Sequence, residues 1–194
     1  MAEIKSIFQQ SVQSHLAAFE KSFTASKIEV LEKISREILR CFKAGNKILI
    51  CGNGGSAADS QHIAAEFIGR FNRERQALPA IALTTDTSCL TALANDYNYS
   101  MVFSRQVEGI GRKGDVLIGI STSGNSANVL EAVKQAKKQE IATIGFTGMG
   151  GGNLSSLVDI CFHAESKKTP HVQEVHIAAL HAISEVVEEV LFGS

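Results

Sequence analysis

The sequence contains no tryptophan and only two prolines, and its charges nearly cancel. The scarcity of proline gives little sign of a linker, so 194 residues with 44% hydrophobic content predict one domain with a full-sized core. A formal net charge of −1 gives no electrostatic reason to expect nucleic acid or a membrane surface as a partner. No run approaches the roughly 18 apolar residues of a membrane span, and the N-terminus lacks the apolar core of a signal peptide.

Cysteine is also sparse, and its spacing excludes the common cysteine-based sites. Cys41, Cys51, Cys89 and Cys161 are far apart and form no CxxC pair. At least two of them lie in apolar runs typical of buried strands. We therefore expect reduced structural thiols rather than disulfides or a metal cluster, and hence a cytoplasmic protein.

The first 44 residues have helical periodicity. Apolar residues follow one stripe from Ile4 to Phe19 and a second stripe from Ile28 to Phe42, which predicts two helices. The break falls at residues 24–26, with Ser26 as the cap of the second helix. A long helix placed ahead of every strand cannot be a crossover helix of a parallel sheet, so we expect it to pack on the outside or against another copy of the chain.

From residue 47 onward, short apolar runs alternate with helical patterns. This alternation predicts an α/β fold in which a parallel sheet is covered by helices on both faces and is doubly wound. The predicted strands cover 47–51, 80–84, 116–120, 143–146 and 160–162. The predicted helices between and after them cover 56–70, 88–95, 101–111, 126–139 and 172–191. Since ligands bind at the carboxyl ends of such strands, the candidate loops are 52–56, 85–87, 121–126 and 147–153.

The glycine-rich loop after the first strand is the first candidate site. Ser56 is placed to cap the following helix, and free backbone N–H groups at a helix start suit a phosphate or the polar end of a sugar. Gly52, Gly54 and Ala57 also satisfy the loose dinucleotide-binding fingerprint. Asp86, which would then hold the ribose, lies too far past Gly52 for the expected spacing of about 20 residues. We therefore favour a sugar or phosphate ligand over a nicotinamide cofactor.

His62 and Glu66 stand four residues apart on the helix that follows this loop, so their side chains share one face. Such a pair is often a solvated surface pair. Its position in the first turns after a candidate ligand loop instead favours proton transfer, metal binding or both.

The loop at 121–126 is the second candidate site. Four hydroxyl side chains, those of Ser121, Thr122, Ser123 and Ser126, occur within six residues where a strand runs into a helix. With the N–H groups of the helix start, they would surround a phosphate with donors without any lysine. An ordinary strand-to-helix turn capped by Ser126 is the alternative, and the density of hydroxyls favours phosphate binding.

The closing helix is apolar apart from a few polar residues, which include Gln173, His176 and His181. So apolar a helix is buried or packs against a partner, and a histidine in it is either a core residue or a functional one. The spacing does not choose between His176 and His181.

Four segments together resemble a known family: GNGGSAADSQHIAAEF, ALANDY, GDVLIGISTSGNSANV and QEVHIAALH. They are similar, in order, to segments of the phosphoheptose isomerases, which have the sugar isomerase (SIS) fold, and the likeness runs from about residue 5 to the C-terminus. The resemblance implies one SIS domain over 1–194 with a five-stranded, flavodoxin-like parallel sheet, and helices at 1–44 used in packing and oligomerisation. It also implies a homotetramer with active sites at subunit interfaces. The implied reaction converts sedoheptulose 7-phosphate to D-glycero-D-manno-heptose 7-phosphate, the first step toward the heptose of lipopolysaccharide core.

The same resemblance assigns roles to residues of this chain. Glu66 and His181 match the acid/base pair of the family, which settles the choice between His176 and His181. One Zn²⁺ per subunit is implied, at His62, Glu66, Gln173 and His181. Ser121, Thr122, Ser123 and Ser126 match the phosphate loop. The remaining substrate-binding positions are Asn53, Gly54, Gly55, Ser56, Asn95 and Asp96, together with Glu66 and Gln173.

A related class of different function has the same fold and both loops: adaptors that bind the replication initiator protein. Those adaptors lack the acid/base side chains at the positions of Glu66 and His181, and this chain has both, which favours the enzyme. The chain departs from some family members at Thr169 and Pro170, where they carry an acidic residue shortly before the Gln, so the resemblance assigns no substrate contact there.

Overall fold

The computed structural model describes residues 2–193, in which strands and helices alternate after an N-terminal helix pair. The five strands of this part are β1 (Ile48–Gly52), β2 (Ala80–Ala82), β3 (Val116–Ser121), β4 (Ala142–Thr147) and β5 (Ile160–His163). Its α-helices are α1 (Ala2–Ser22), α2 (Ala25–Lys43), α3 (Gly55–Ile68), α4 (Thr87–Asp96), α5 (Ser104–Ile110), α6 (Ala127–Lys138), α7 (Gly152–Leu157) and α8 (Thr169–Phe192). A 3₁₀ turn at Tyr99–Met101 lies between α4 and α5.

The five strands form one parallel sheet in the order β2-β1-β3-β4-β5. This is the flavodoxin-like, doubly wound order, whose switch point lies between β1 and β3. The predicted fold class is therefore confirmed. Because β1 and β3 are parallel neighbours, the loops that follow them lie side by side at one edge of the sheet.

Both faces of the sheet are covered, which explains why the strands read as continuous apolar runs. Ile48 and Ile50 of β1 belong to a core cluster with buried side chains of α2, α3 and α8. Leu49 and Cys51 point the other way, into a cluster with α5, α6 and α7. Helices α3 and α8 thus share one face and contact each other, which sets up the site described below.

Two predicted helix starts are wrong by one or two residues. Helix α3 starts at Gly55, with Gly54 as its N-cap at φ +56°, so Ser56 lies buried inside the helix and is not its cap. Only glycine adopts this backbone conformation without strain, so the chain can turn into the helix earlier than a serine cap would allow. Helix α2 likewise starts at Ala25 after Thr24, which excludes Ser26 as its cap.

One other prediction changes, and two details are added by the structure. The helix predicted at 101–111 divides into the 3₁₀ turn and α5, because Val102 and Phe103 are buried at the bend between them. Helix α7 was not predicted. Asp86, the candidate ribose acid, caps α4 by accepting a hydrogen bond from the backbone N–H of Cys89 at 2.8 Å.

Helix α1 contacts α8, and residues 3–13 of α1 are exposed. Its apolar stripe faces solvent: Ile4, Ile7, Phe8, Val12, Leu16 and Phe19 are each at least 44% exposed. Among the described helices, none combines the length and apolar character that crossing a membrane requires. All four cysteines are free, and burial raises the pKa of the Cys41 and Cys51 thiols to about 12, which makes them unreactive.

Candidate active site

Three side chains from two helices that cover one face of the sheet converge at one point. On α3, Nε2 of His62 lies 3.0 Å from Oε1 of Glu66, one helical turn away. On α8, Nε2 of His181 lies 3.1 Å from the same nitrogen of His62. One potential ligand atom from each of these residues lies within 4.8 Å of the other two. His181 of α8 thus joins the His62–Glu66 pair of α3.

The cluster is open to solvent on one side. The His62 side chain is 49% exposed and that of Glu66 is 24% exposed. On the other side the ring of Phe71 stacks on the imidazole of His181, with ring centroids 5.7 Å apart and an interplanar angle of 28°. A small ligand can therefore reach the polar atoms of His62, Glu66 and His181, and the Phe71 ring limits the movement of the His181 side chain.

The donor atoms suit a zinc ion. Two imidazole nitrogens and a carboxylate oxygen are ligands that Zn²⁺ takes in catalytic sites, where a further position stays open. Zinc–ligand bonds of about 2.0–2.1 Å in a tetrahedron separate neighbouring ligand atoms by about 3.3 Å. The contacts of 3.0 Å and 3.1 Å from His62 to Glu66 and His181 are close to that spacing. The residues present therefore fit the metal.

Gln173, the fourth residue of the predicted metal site, lies at the other end of α3. Its side-chain amide contacts Gly55 so closely that a Cβ atom at Gly55 would come within 2.4 Å of Nε2. Gly55 is about two helical turns from His62. Gln173 thus meets the glycine-rich loop and not the cluster of His62, Glu66 and His181, and a side chain at Gly55 would displace its amide.

The structure separates the two histidines that sequence spacing could not. His176 has no exposed surface and donates from Nε2 to the carbonyl oxygen of Thr147 at 2.9 Å. Burial lowers its pKa to about 4. His176 is thus a neutral core residue, whereas His181 joins His62 and Glu66.

The hydroxyl-rich loop forms a compact group at the start of α6. Oγ of Ser121 lies 2.9 Å from Oγ of Ser126 and 3.5 Å from Oγ of Ser123. Ser126 is the N-cap residue of α6, but its hydroxyl contacts Ser121 rather than a backbone N–H of the helix. Thr122 lies half-buried in the same loop. The hydroxyls thus cluster at the N-terminus of a twelve-residue helix, a position that suits an anion.

The loop after β4 contacts the hydroxyl-rich loop at 121–126. The backbone N–H of Gly148 donates to the carbonyl oxygen of Thr122 at 3.1 Å, and that of Leu154 donates to Gly124 at 2.9 Å. Gly124 has a φ of +67°, and a Cβ atom there would lie 2.0 Å from the carbonyl oxygen of Gly151. This close backbone contact requires a glycine at position 124, and the glycines at 150–152 have φ values of +91°, +74° and +56°, which other residues rarely adopt.

Asn128 is a site residue that the sequence did not reveal. Its amide and that of Asn53 exchange two hydrogen bonds, of 2.9 Å and 2.8 Å, between the glycine-rich loop and the first turn of α6. This reciprocal pair joins the two candidate loops across the β1/β3 switch point. Asn95 and Asp96 lie exposed at the end of α4 and are hydrogen-bonded to each other at 2.9 Å.

Fold and site together define the class of protein. Residues 8–148 match the family model of the SIS domain. The two loops lie at the carboxyl edge of the sheet, and the three-residue cluster lies where α3 contacts α8.

Curated relatives and a solved structure narrow the class. A phosphoheptose isomerase of Roseiflexus sp. is 57% identical over 159 residues, which cover 82% of this chain and 81% of the relative. One from Clostridium acetobutylicum is 49% identical and covers 98% of this chain and 97% of its own. The structure of a phosphoheptose isomerase from Neisseria gonorrhoeae is 41% identical, with a TM-score of 0.91, and covers 96% of this chain and 99% of that one. The chain belongs to the phosphoheptose isomerase family.

Proposed function

We propose that the chain is an aldose–ketose isomerase that converts sedoheptulose 7-phosphate to D-glycero-D-manno-heptose 7-phosphate, the first step in forming a heptose precursor for glycans such as lipopolysaccharide core. The observation that carries the proposal is the convergence of His62, Glu66 and His181. Membership of the family, with relatives of that name over nearly the whole chain, supports it further.

The reaction moves a proton between C1 and C2 of the open-chain sugar through an enediol. Its barrier lies in the weak acidity of the carbon, so the site needs a base at that carbon and a group that serves the oxygens. Glu66 takes the proton from C1 of the ketose, while His181 delivers a proton to the C2 oxygen. Return of the carbon-bound proton to C2 and loss of the proton on the C1 oxygen then give the aldose.

The metal site belongs to the same proposal. His62, Glu66 and His181 would hold one Zn²⁺ per subunit, and a bound zinc ion would supply positive charge that polarises the sugar carbonyl. The centroids of the two imidazole rings are 4.8 Å apart, and their Nε2 atoms lie 3.1 Å from each other.

The second loop anchors the far end of the substrate. Ser121, Thr122, Ser123 and Ser126, with the start of α6, bind the phosphate, and the binding energy gained there orients C1 and C2 at the reacting end. Asn53, Gly54, Gly55 and Ser56 line the sugar chain between the two ends, and Asn95, Asp96 and Gln173 complete the substrate contacts.

The enzyme is a homotetramer in the cytoplasm. The exposed stripe of α1 supports self-association, since monomers rarely leave such a surface uncovered. A groove of about 340 Å³ between α2 and α8, lined by apolar residues that include Leu39 and Val190, offers a second self-association surface. Four free thiols are in keeping with a reducing compartment.

The proposal is tested by incubating purified protein with sedoheptulose 7-phosphate and following the aldose by NMR. Turnover is expected with the seven-carbon ketose phosphate, to stop after treatment with a chelator, and to return with added Zn²⁺. Fructose 6-phosphate serves as a ketose phosphate of different length. Failure to convert the seven-carbon substrate in the presence of Zn²⁺ would overturn the proposal. If the protein then bound the replication initiator instead, an adaptor function would replace the isomerase function. None of the relatives described above is named as such an adaptor.

A further inference from the structure

A buried ion pair lies beside the candidate active site and has no part in the chemistry described so far. Arg75, in the loop between α3 and β2, donates from Nε to Oε1 of Glu188 on α8 at 2.9 Å. The two side chains are only 2% and 3% exposed. Since burying two charges carries a large desolvation cost, such a pair is stable only when its remaining donors and acceptors are also satisfied.

The Glu188 carboxylate accepts four hydrogen bonds, two at each oxygen. Besides Arg75, its donors are the backbone N–H groups of Phe71 at 3.1 Å, Asn72 at 2.7 Å and Arg73 at 3.0 Å. Burial alone would raise the pKa of the Glu188 carboxyl, but these donors hold it below its ordinary value. The loop backbone at 71–73 is therefore wrapped around a charged carboxylate.

The Arg75 guanidinium binds the end of α3. Its Nη2 donates to the carbonyl oxygen of Glu66 at 2.7 Å, and its Nη1 donates to those of Phe67 at 2.8 Å and Gly69 at 3.1 Å. Carbonyl groups in the last turn of a helix lack partners within the helix, and a cation is favourable there. Arg75 thus fixes the turn of α3 that carries Glu66.

Phe71 connects the pair to the third residue of the cluster. Its backbone N–H is held by Glu188, and its ring stacks on His181. Seven residues, about two turns, separate His181 from Glu188 on α8, so both side chains leave the same side of that helix. The ion pair therefore acts on His181 through Phe71 and on Glu66 through Arg75.

We propose that Glu188 and Arg75 are positioning residues of this active site: they hold Phe71 against His181 and fix the last turn of α3 behind Glu66, and so govern the rate of turnover rather than the affinity for substrate. The inference rests on the isomerase function proposed above.

Glu188→Gln, Phe71→Leu and the double variant test the proposal. Each single variant is expected to lower kcat about tenfold, with KM within about twofold of the wild-type value. Because Glu188 acts through Phe71, the double variant should be no slower than Glu188→Gln alone. Glu185→Gln, an exposed glutamate of the same helix, is the matched control and should keep wild-type kinetics.

Histidine NMR supplies a readout that needs no turnover. In protein labelled at histidine, the His181 signal, assigned through His181→Gln, should lose its ring-current shift in Phe71→Leu and also in Glu188→Gln, but not in Glu185→Gln. If the wild type fails to isomerise the substrate, this signal alone decides the positioning role, and the proposed function fails separately.

Three results would overturn the inference. One is a His181 signal unchanged in Glu188→Gln; another is a double variant in which the two kcat losses multiply. The third applies if Glu188→Gln does not fold. Phe71→Leu changes only a half-buried loop side chain, so its kinetics then decide alone. A kcat of Phe71→Leu within about twofold of the wild-type value would exclude the positioning role.

Discussion

His176 shows how a single buried residue makes stability depend on pH. It has no exposed surface, and its Nδ1 has no hydrogen-bond partner among residues 2–193. The pKa of His176 falls to about 4 on folding, chiefly because of burial, so the unfolded chain binds a proton more readily than the folded one. Its contribution therefore lowers stability as the pH falls from about 6.5 toward about 4.

His176→Gln tests this contribution. The Gln amide can still donate to Thr147, but it cannot take up a proton. Between about pH 7.5 and about pH 5, the wild type should lose about 2 kcal/mol more of its free energy of unfolding than the variant. Urea unfolding at the two pH values measures the difference. Equal losses in both proteins would show that His176 does not titrate on unfolding.

Residue-level prediction succeeded where the pattern is local. His62 and Glu66 were found because four residues on one helix fix a shared face. The choice of His181 over His176 came only from the family resemblance, since it depends on which face of α8 meets α3. Asn128 was missed because its partner, Asn53, is 75 positions away. The ligand and catalytic roles of the candidate residues stay predictions.

The loop between β3 and α6 carries the main prediction at the scale of an element. Ser126→Ala removes a hydroxyl at the start of α6 and the partner of Ser121. A hydrogen bond to a charged group contributes about 1.5–3 kcal/mol, so KM for the phosphorylated sugar should rise at least about tenfold. Inhibition by inorganic phosphate should weaken by a similar factor.

A serine-to-alanine substitution outside the loop is the control for the predicted rise in KM. Ser156→Ala, an exposed serine on α7, should leave both KM and phosphate inhibition unchanged. If Ser126→Ala kept the wild-type phosphate inhibition, the loop would not be the phosphate site.

Helices and strands were predicted well where apolar runs determine them. They were predicted poorly where a glycine determines the start of a helix. All five strands and the order of the long helices followed from the pattern, and the family fold is confirmed. Gly54 moved the start of α3, because a positive φ lets the chain turn without a side-chain cap. Helix α7 was missed because its six residues are too few to reveal a period.

The exposed stripe of α1 determines the prediction for the whole molecule. If α1 mediates assembly, Phe8→Glu places a charge in an apolar interface and should convert the proposed tetramer to smaller species. Light scattering during gel filtration measures the mass. Ser6→Glu adds the same charge on another side of this helix and should leave the tetramer intact. A wild-type monomer, or a tetramer insensitive to Phe8→Glu, would remove α1 from the interface.

The central claim is that three side chains brought together by α3 and α8 make this chain an isomerase, with Glu66 as the base. The most direct measurement compares the turnover of sedoheptulose 7-phosphate by wild type and Glu66→Gln, each saturated with Zn²⁺ and each shown to bind the substrate. General-base catalysis contributes about a hundredfold to ten-thousandfold, so kcat of the variant should fall at least about a hundredfold while substrate binding is retained. A variant that binds the substrate and turns it over within about tenfold of the wild-type rate would contradict the account.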